Sequence, residues 1–211
     1  MNKIRTRSAA TLAALGLGLA AVPAVADAGY GPSVVHATLT QLNNSGVSGS
    51  ATVSVQGSKL TAYINATGLL PDQPHAAHIH FGATALHECP TQAAAGADNQ
   101  LTTREGLPFY GPVVVSFTLF GDTSPASVLA IDRFSTAPGG ILDYYRAKIK
   151  TQRAVAKAIA AGEGVVVLHG VDYHVAGSVD GEYDFAAGVS DLKDTLPAEA
   201  TDLAACGVLN D

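Results

Sequence analysis

Between residues 51 and 67 apolar and polar positions alternate. Ala51, Val53 and Val55 are interleaved with Thr52, Ser54 and Gln56; Leu60, Ala62, Ile64 and Ala66 with Thr61, Tyr63, Asn65 and Thr67. A period of two is that of a strand with one buried face, and Gly57-Ser58 between the runs predicts a tight hairpin. Further apolar or alternating runs fall at 34–39, 75–81, 113–120, 164–171 and 203–209, separated by Gly, Pro and Asp clusters. Seven short strands of this kind predict an all-β sandwich or barrel. Between Gly140 and Gly162 the pattern changes. Ile141, Tyr145, Ile149, Ala156 and Ile159 sit near helical spacing among cations, which predicts a helical insertion over about 140–162. Residues 83–111 read as a long loop.

The first apolar run is set apart from this framework. Lys3, Arg5 and Arg7 precede the stretch from Ala9 to Val22, and Ala24-Val25-Ala26 follows it. A basic end, a short apolar run and a small-residue site are the parts of a secretory signal peptide, read here as residues 1–26, with the folded domain at 33–209. The expectation is therefore a secreted or extracytoplasmic protein with no membrane span in the mature chain, since no later run reaches the roughly 18 apolar residues a span needs. Cleavage would remove three cations and leave nine Lys and Arg against eighteen Asp and Glu, a net charge of −9. That balance argues against nucleic acid as a partner, because such binders cluster cations against phosphates.

Chemistry-bearing residues are few and crowded. The two cysteines, Cys89 and Cys206, are expected to pair in an exported chain with an even count. Of seven histidines, four lie within thirteen positions: His75, His78, His80 and His87. His78 and His80 form a His-Ile-His run, and on a strand side chains two apart share a face, so their imidazoles can converge on one metal ion. The same histidines could instead serve only as hydrogen-bonding groups across the barrel. No G-x-S-x-G, phosphate-binding loop or dinucleotide-binding glycine pattern is present, which argues against hydrolase and nucleotide chemistry. The acidic segment 172–184, with His174, reads as a solvated turn or a calcium loop without EF-hand spacing.

Taken in order, the chain carries Gly68-Leu69-Leu70-Pro71, His75-Ala76-Ala77-His78-Ile79-His80, Cys89, Val166-Val167-Leu168-His169 and Ala205-Cys206-Gly207-Val208. This set resembles the Cu/Zn superoxide dismutases. The resemblance implies a Greek-key β-barrel with His78, His80 and His169 as copper ligands, His75 as a structural histidine and a Cys89–Cys206 disulfide. His87 is read either as a loop residue or as an extra ligand. Two departures are evident. No histidine lies between His87 and His169, so the bridging and zinc histidines have no counterpart and zinc is not expected. Leu203 stands three residues before the final cysteine, where the family's enzymes carry the arginine that attracts superoxide; Arg104 or another cation could substitute, but nothing in the spacing places one there. The chain is also similar to a secreted bacterial group related to chordin-type (CHRD) domains. The expected function is a secreted, copper-binding, superoxide dismutase-like protein with weak or no dismutation. The alternatives are a copper-only dismutase acting on superoxide and a non-catalytic chordin-type interaction module, whose protein partner the sequence does not name.

Overall fold

A computed structural model describes residues 31–173 and 181–210; the expected signal peptide and His174 lie outside them. Among the described residues ten strands and two α-helices follow in the order β1 Ser33–Gln41, β2 Ser48–Gln56, β3 Lys59–Thr67, β4 Pro74–His75, β5 Ala77–His80, α1 Thr103–Tyr110, β6 Val113–Ser116, β7 Ser135–Thr136, β8 Ile141–Lys150, α2 Arg153–Ala160, β9 Val165–His169 and β10 Leu203–Val208. Eight strands form one sheet in the order β6-β5-β9-β10-β1-β2-β3-β8, and β4 pairs only with β7. Every pairing is antiparallel.

The alternation in β2 and β3 becomes one buried face. Ala51, Val53, Val55, Leu60, Ala62, Ile64 and Ala66 all enter the main core, and Gly57 turns the hairpin at φ +62°. Val35, Ala37 and Leu39 of β1, Ala77 and Ile79 of β5, and Val166 and Leu168 of β9 face the same core. The sheet curls around it. Phe117, just past edge strand β6, lies with its ring centre 5.4 Å from that of Tyr144 on the opposite edge strand β8. The Tyr144 hydroxyl and the Arg146 guanidinium both donate to the Thr118 carbonyl, so side chains bridge the gap that backbone pairing leaves open.

The expected helical insertion is corrected in its first half. Residues 141–150 are strand β8, and only Arg153–Ala160 is helical. A bulge explains the misleading spacing: β8 pairs with β3 with a register shift between Leu60 and Ala62, and Lys148 has φ +59°. Leu142 and Tyr144 point inward before the bulge and Ile149 after it, while Ile141 and Tyr145 are 51% and 56% exposed. A slip in a two-residue period mimics a four-residue one.

The 83–111 segment is likewise more than a loop. It contains α1, opened by a capping box in which the Thr102 hydroxyl accepts from the Glu105 N–H and Glu105 accepts from the Thr102 N–H. Its Leu101 and Tyr110 pack with Leu42, Val165, Val167, Leu203 and Cys206 in a second apolar cluster on the outer face of the sheet. Full burial of such side chains stabilises by roughly 1.5–3 kcal/mol each. The Cys89–Cys206 disulfide, spanning 117 residues, fastens this segment to β10. Among the described residues no helix is long and apolar enough to cross a membrane.

Candidate metal centre

Antiparallel pairing brings together histidines that the chain keeps 89 to 91 positions apart. In the β5–β9 register His78 stands opposite Val167 and His80 opposite Val165, and His169 lies two residues beyond Val167 on the same face. The His169 N–H donates to the Ala76 carbonyl at 2.9 Å, which continues the pairing to the end of β9. Because Ile79, Val166 and Leu168 take the inner face, all three imidazoles project outward, under the segment held by the disulfide. The ring centres lie 5.8 Å (His78–His80), 5.2 Å (His78–His169) and 6.4 Å (His80–His169) apart. One ring nitrogen from each falls within 4.8 Å of the others; among the described residues this is the one such cluster of His, Cys, Asp or Glu.

Hydrogen bonds on the far side of two rings fix their proton positions. His80 Nδ1 lies 2.8 Å from the Gly111 carbonyl and His169 Nδ1 2.7 Å from the Thr201 carbonyl. A carbonyl oxygen only accepts, so in both rings Nδ1 carries the hydrogen and Nε2 presents a lone pair. Those two Nε2 atoms are buried without a hydrogen-bond partner, and neither nitrogen of His78 has a close one, although the Val128 backbone carbonyl lies near enough to act on that ring. Buried polar atoms are nearly always paired, and each one left unsatisfied costs about 1–3 kcal/mol. One buried nitrogen from each of three rings, converging on one spot, is therefore a demand for a ligand.

Burial also keeps these rings neutral. It pulls His80 down to about 3 and His169 to about 4, and it holds His78 well below the ordinary histidine value, with the neighbouring histidines adding to the effect. Neutral imidazole is the form that binds metal.

His75 sits apart from the three. One ring nitrogen is 3.0 Å from the Leu70 carbonyl, and the other lies 2.9 Å from the His169 carbonyl and 3.0 Å from the Tyr183 hydroxyl, so it braces the backbone of His169. His87 is not brought to the cluster. It adopts φ +57°, stacks on Phe81 at 5.2 Å and places Nε2 2.8 Å from the Gly82 carbonyl. His36 lies on the exposed face of β1 against Thr52. Leu203, paired with His169 across the ladder, is fully buried in the outer apolar cluster, so this position supplies packing and no charge. Arg104 is 67% exposed at its side chain and lies 4.0 Å from the Asp191 carboxylate. In the 172–184 region the described part is organised around buried Glu199, which accepts from the N–H groups of Tyr173 and Asp184.

Several contributors carry no motif. Gly111 and Thr201 act through backbone carbonyls, which any residue could supply. Tyr110 lays its ring 4.3 Å from His80 and donates its hydroxyl to the Thr103 carbonyl, and Phe134 meets His78 edge-on at 5.4 Å. Gly106 is required beneath Tyr110, since a Cβ there would stand 2.4 Å from the tyrosine ring. The capping box Thr102-x-x-Glu105 was the available sequence signal for the helix that carries Tyr110.

Above the three histidines opens a cavity of about 220 Å³. Its walls include Val113, Leu129, Ile131, Phe134, Leu192 and Leu196, and among the described residues no Lys, Arg, Asp or Glu lines it. No protein-family model matches this chain, and no curated protein gives a significant match.

Proposed function

We propose that the chain is an exported, superoxide dismutase-like protein that holds one copper ion through His78, His80 and His169, with weak or no dismutation. The observation that carries the reading is the convergence of three buried, neutral histidines, one ring nitrogen from each. Nitrogens that share one ion at about 2.0–2.1 Å stand about 2.9–4.2 Å apart, and these lie within 4.8 Å of one another, so modest ring movements suffice. Imidazole suits copper, zinc, iron and nickel alike; copper is favoured by the Irving–Williams order and by the resemblance in the histidine and cysteine motifs. The strand order adds support. Three hairpin-connected strands, β1 to β3, have β10 beside β1, an order compatible with the Greek-key barrel that the resemblance implies. The disulfide and the basic-apolar N-terminus support export.

Copper added to metal-free protein should bind at one per chain and give an electron paramagnetic resonance spectrum with nitrogen hyperfine structure. His78→Ala should lose that signal and weaken binding at least a hundredfold. Unchanged binding in that variant would sink the copper reading and leave a non-catalytic module. Competition with zinc in the same titration tests the choice of metal.

A further inference from the structure

The cavity above the histidines is chemically unlike a channel for a small anion. A charged species entering it would lose its hydration against Val113, Leu129, Ile131, Phe134, Leu192 and Leu196, and no cation among the described residues would replace that water. An apolar solute loses nothing there. Its volume, about 220 Å³, exceeds the roughly 150 Å³ in which a cavity lined by Leu, Ile and Phe takes up benzene, so a six-membered ring with a substituent fits. The floor is not apolar. It presents the Nε2 lone pairs of His80 and His169, whose Nδ1 hydrogens are committed to Gly111 and Thr201, together with one ring nitrogen of His78. A ligand matched to this shape is an apolar ring with one hydroxyl: the ring faces the aliphatic wall, and the O–H donates to an imidazole lone pair.

We propose that this cavity is a binding site for small neutral phenols, with the ring against Leu129, Phe134 and Leu196 and the hydroxyl on the histidine cluster. The assignment is a property of the metal-free cavity and stands without the copper reading. With three nitrogens on a metal, one His78 nitrogen is left over. That nitrogen carries the hydrogen and has the Val128 backbone carbonyl beside it, so the match to a phenol hydroxyl belongs to the metal-free cavity.

Metal-free protein titrated with phenol, toluene and benzoate, followed by NMR shifts of Leu and Ile methyl groups, tests the cavity. Phenol should bind at least tenfold more tightly than toluene, which lacks the hydroxyl, and benzoate should not bind. Leu129→Trp and Leu196→Trp, which fill the space from two sides, should each weaken phenol at least tenfold while leaving the copper stoichiometry at one per chain. Equal binding of phenol and toluene, preference for benzoate, or full phenol affinity in both folded Trp variants would overturn the proposal. Phenol binding without copper binding would overturn only the copper reading, whereas copper binding without phenol binding would overturn only this one.

Discussion

At the scale of single residues, the histidines that could hold a metal also make the metal-free protein sensitive to acid. An unfolded histidine titrates near 6.5, whereas His80 and His169 are drawn down to about 3 and about 4, and His75 and His78 are lowered too, in each case chiefly by burial. Between pH 6.5 and those lower values the unfolded chain binds more protons than the folded one. Stability therefore falls as pH falls, by roughly 1.4 kcal/mol per pH unit for each histidine fully within its window. Two buried acids act in the opposite sense. Burial raises Asp202 to about 7 and also raises Glu199, so their contribution is present below the ordinary carboxylate range and is lost as pH rises. Four histidines outnumber two acids. The melting temperature of metal-free protein should drop steadily from pH 6.5 to pH 4, and His80→Gln, which cannot titrate, should flatten the slope. A melting temperature constant across that interval would show that these rings are not buried neutral. Which residues could meet was only partly legible: His78 and His80 declare a shared face by their spacing, but His169 joins them through a ladder register that one strand's sequence does not contain. The anchoring carbonyls of Gly111 and Thr201 leave no mark in the sequence, since the backbone groups that do the work are common to every residue.

Among the elements, the segment from Cys89 through α1 determines whether the site keeps its shape. It supplies the Gly111 carbonyl that orients His80 and the Tyr110 ring that covers it, and the bond to Cys206 fastens it to β10. In the chain-entropy model, opening a loop of 117 residues removes about 4–5 kcal/mol of stability. The double variant Cys89→Ser/Cys206→Ser should show that loss in urea unfolding. Its copper affinity should also fall, because a released segment no longer fixes the His80 ring. A urea midpoint within error of the parent protein would refute this role for the crosslink. The same elements show why the sequence was readable in some places and not in others. Strands β1 to β3 have one solvated face, so alternation alone reveals them. Strand β8 has the same architecture, but the bulge at Lys148 shifts its phase, and Ile141, Tyr145 and Ile149 then imitate a helix. Helix α1 is concealed for another reason: eight residues that include Gly106 and Pro108 give too short and too broken a stripe for periodicity to detect, though its capping box was visible.

For the molecule as a whole, charge and cavity chemistry decide how a copper centre here would treat superoxide. The chain carries a formal charge of −6, and −9 if the basic N-terminal segment is removed, so a −1 anion approaches against the mean field. Fast dismutation would need local positive potential to reverse that field near the site. Among the described residues no Lys or Arg lines the cavity: Leu203 is buried, and Arg104 lies beside Asp191. Most of the remaining cations, Arg146, Lys148, Lys150, Arg153 and Lys157, are carried by β8 and α2, and none of them lines the cavity. Copper-loaded protein, with a chelator present to remove free metal, should therefore consume superoxide at least a hundredfold more slowly than the diffusional ceiling of about 10⁸–10⁹ M⁻¹s⁻¹. The salt dependence supplies a second reading of the same physics. Ions screen repulsion as well as attraction, so the residual rate should rise with ionic strength, whereas an electrostatically guided enzyme slows. Leu129→Lys, which sets a cation into the cavity wall, should raise the rate and reverse that salt dependence. A parent rate near the ceiling that falls with salt and vanishes in His169→Ala would mean that superoxide is drawn to the copper after all, by charges outside the described residues, and the chain would then be an efficient copper-only dismutase.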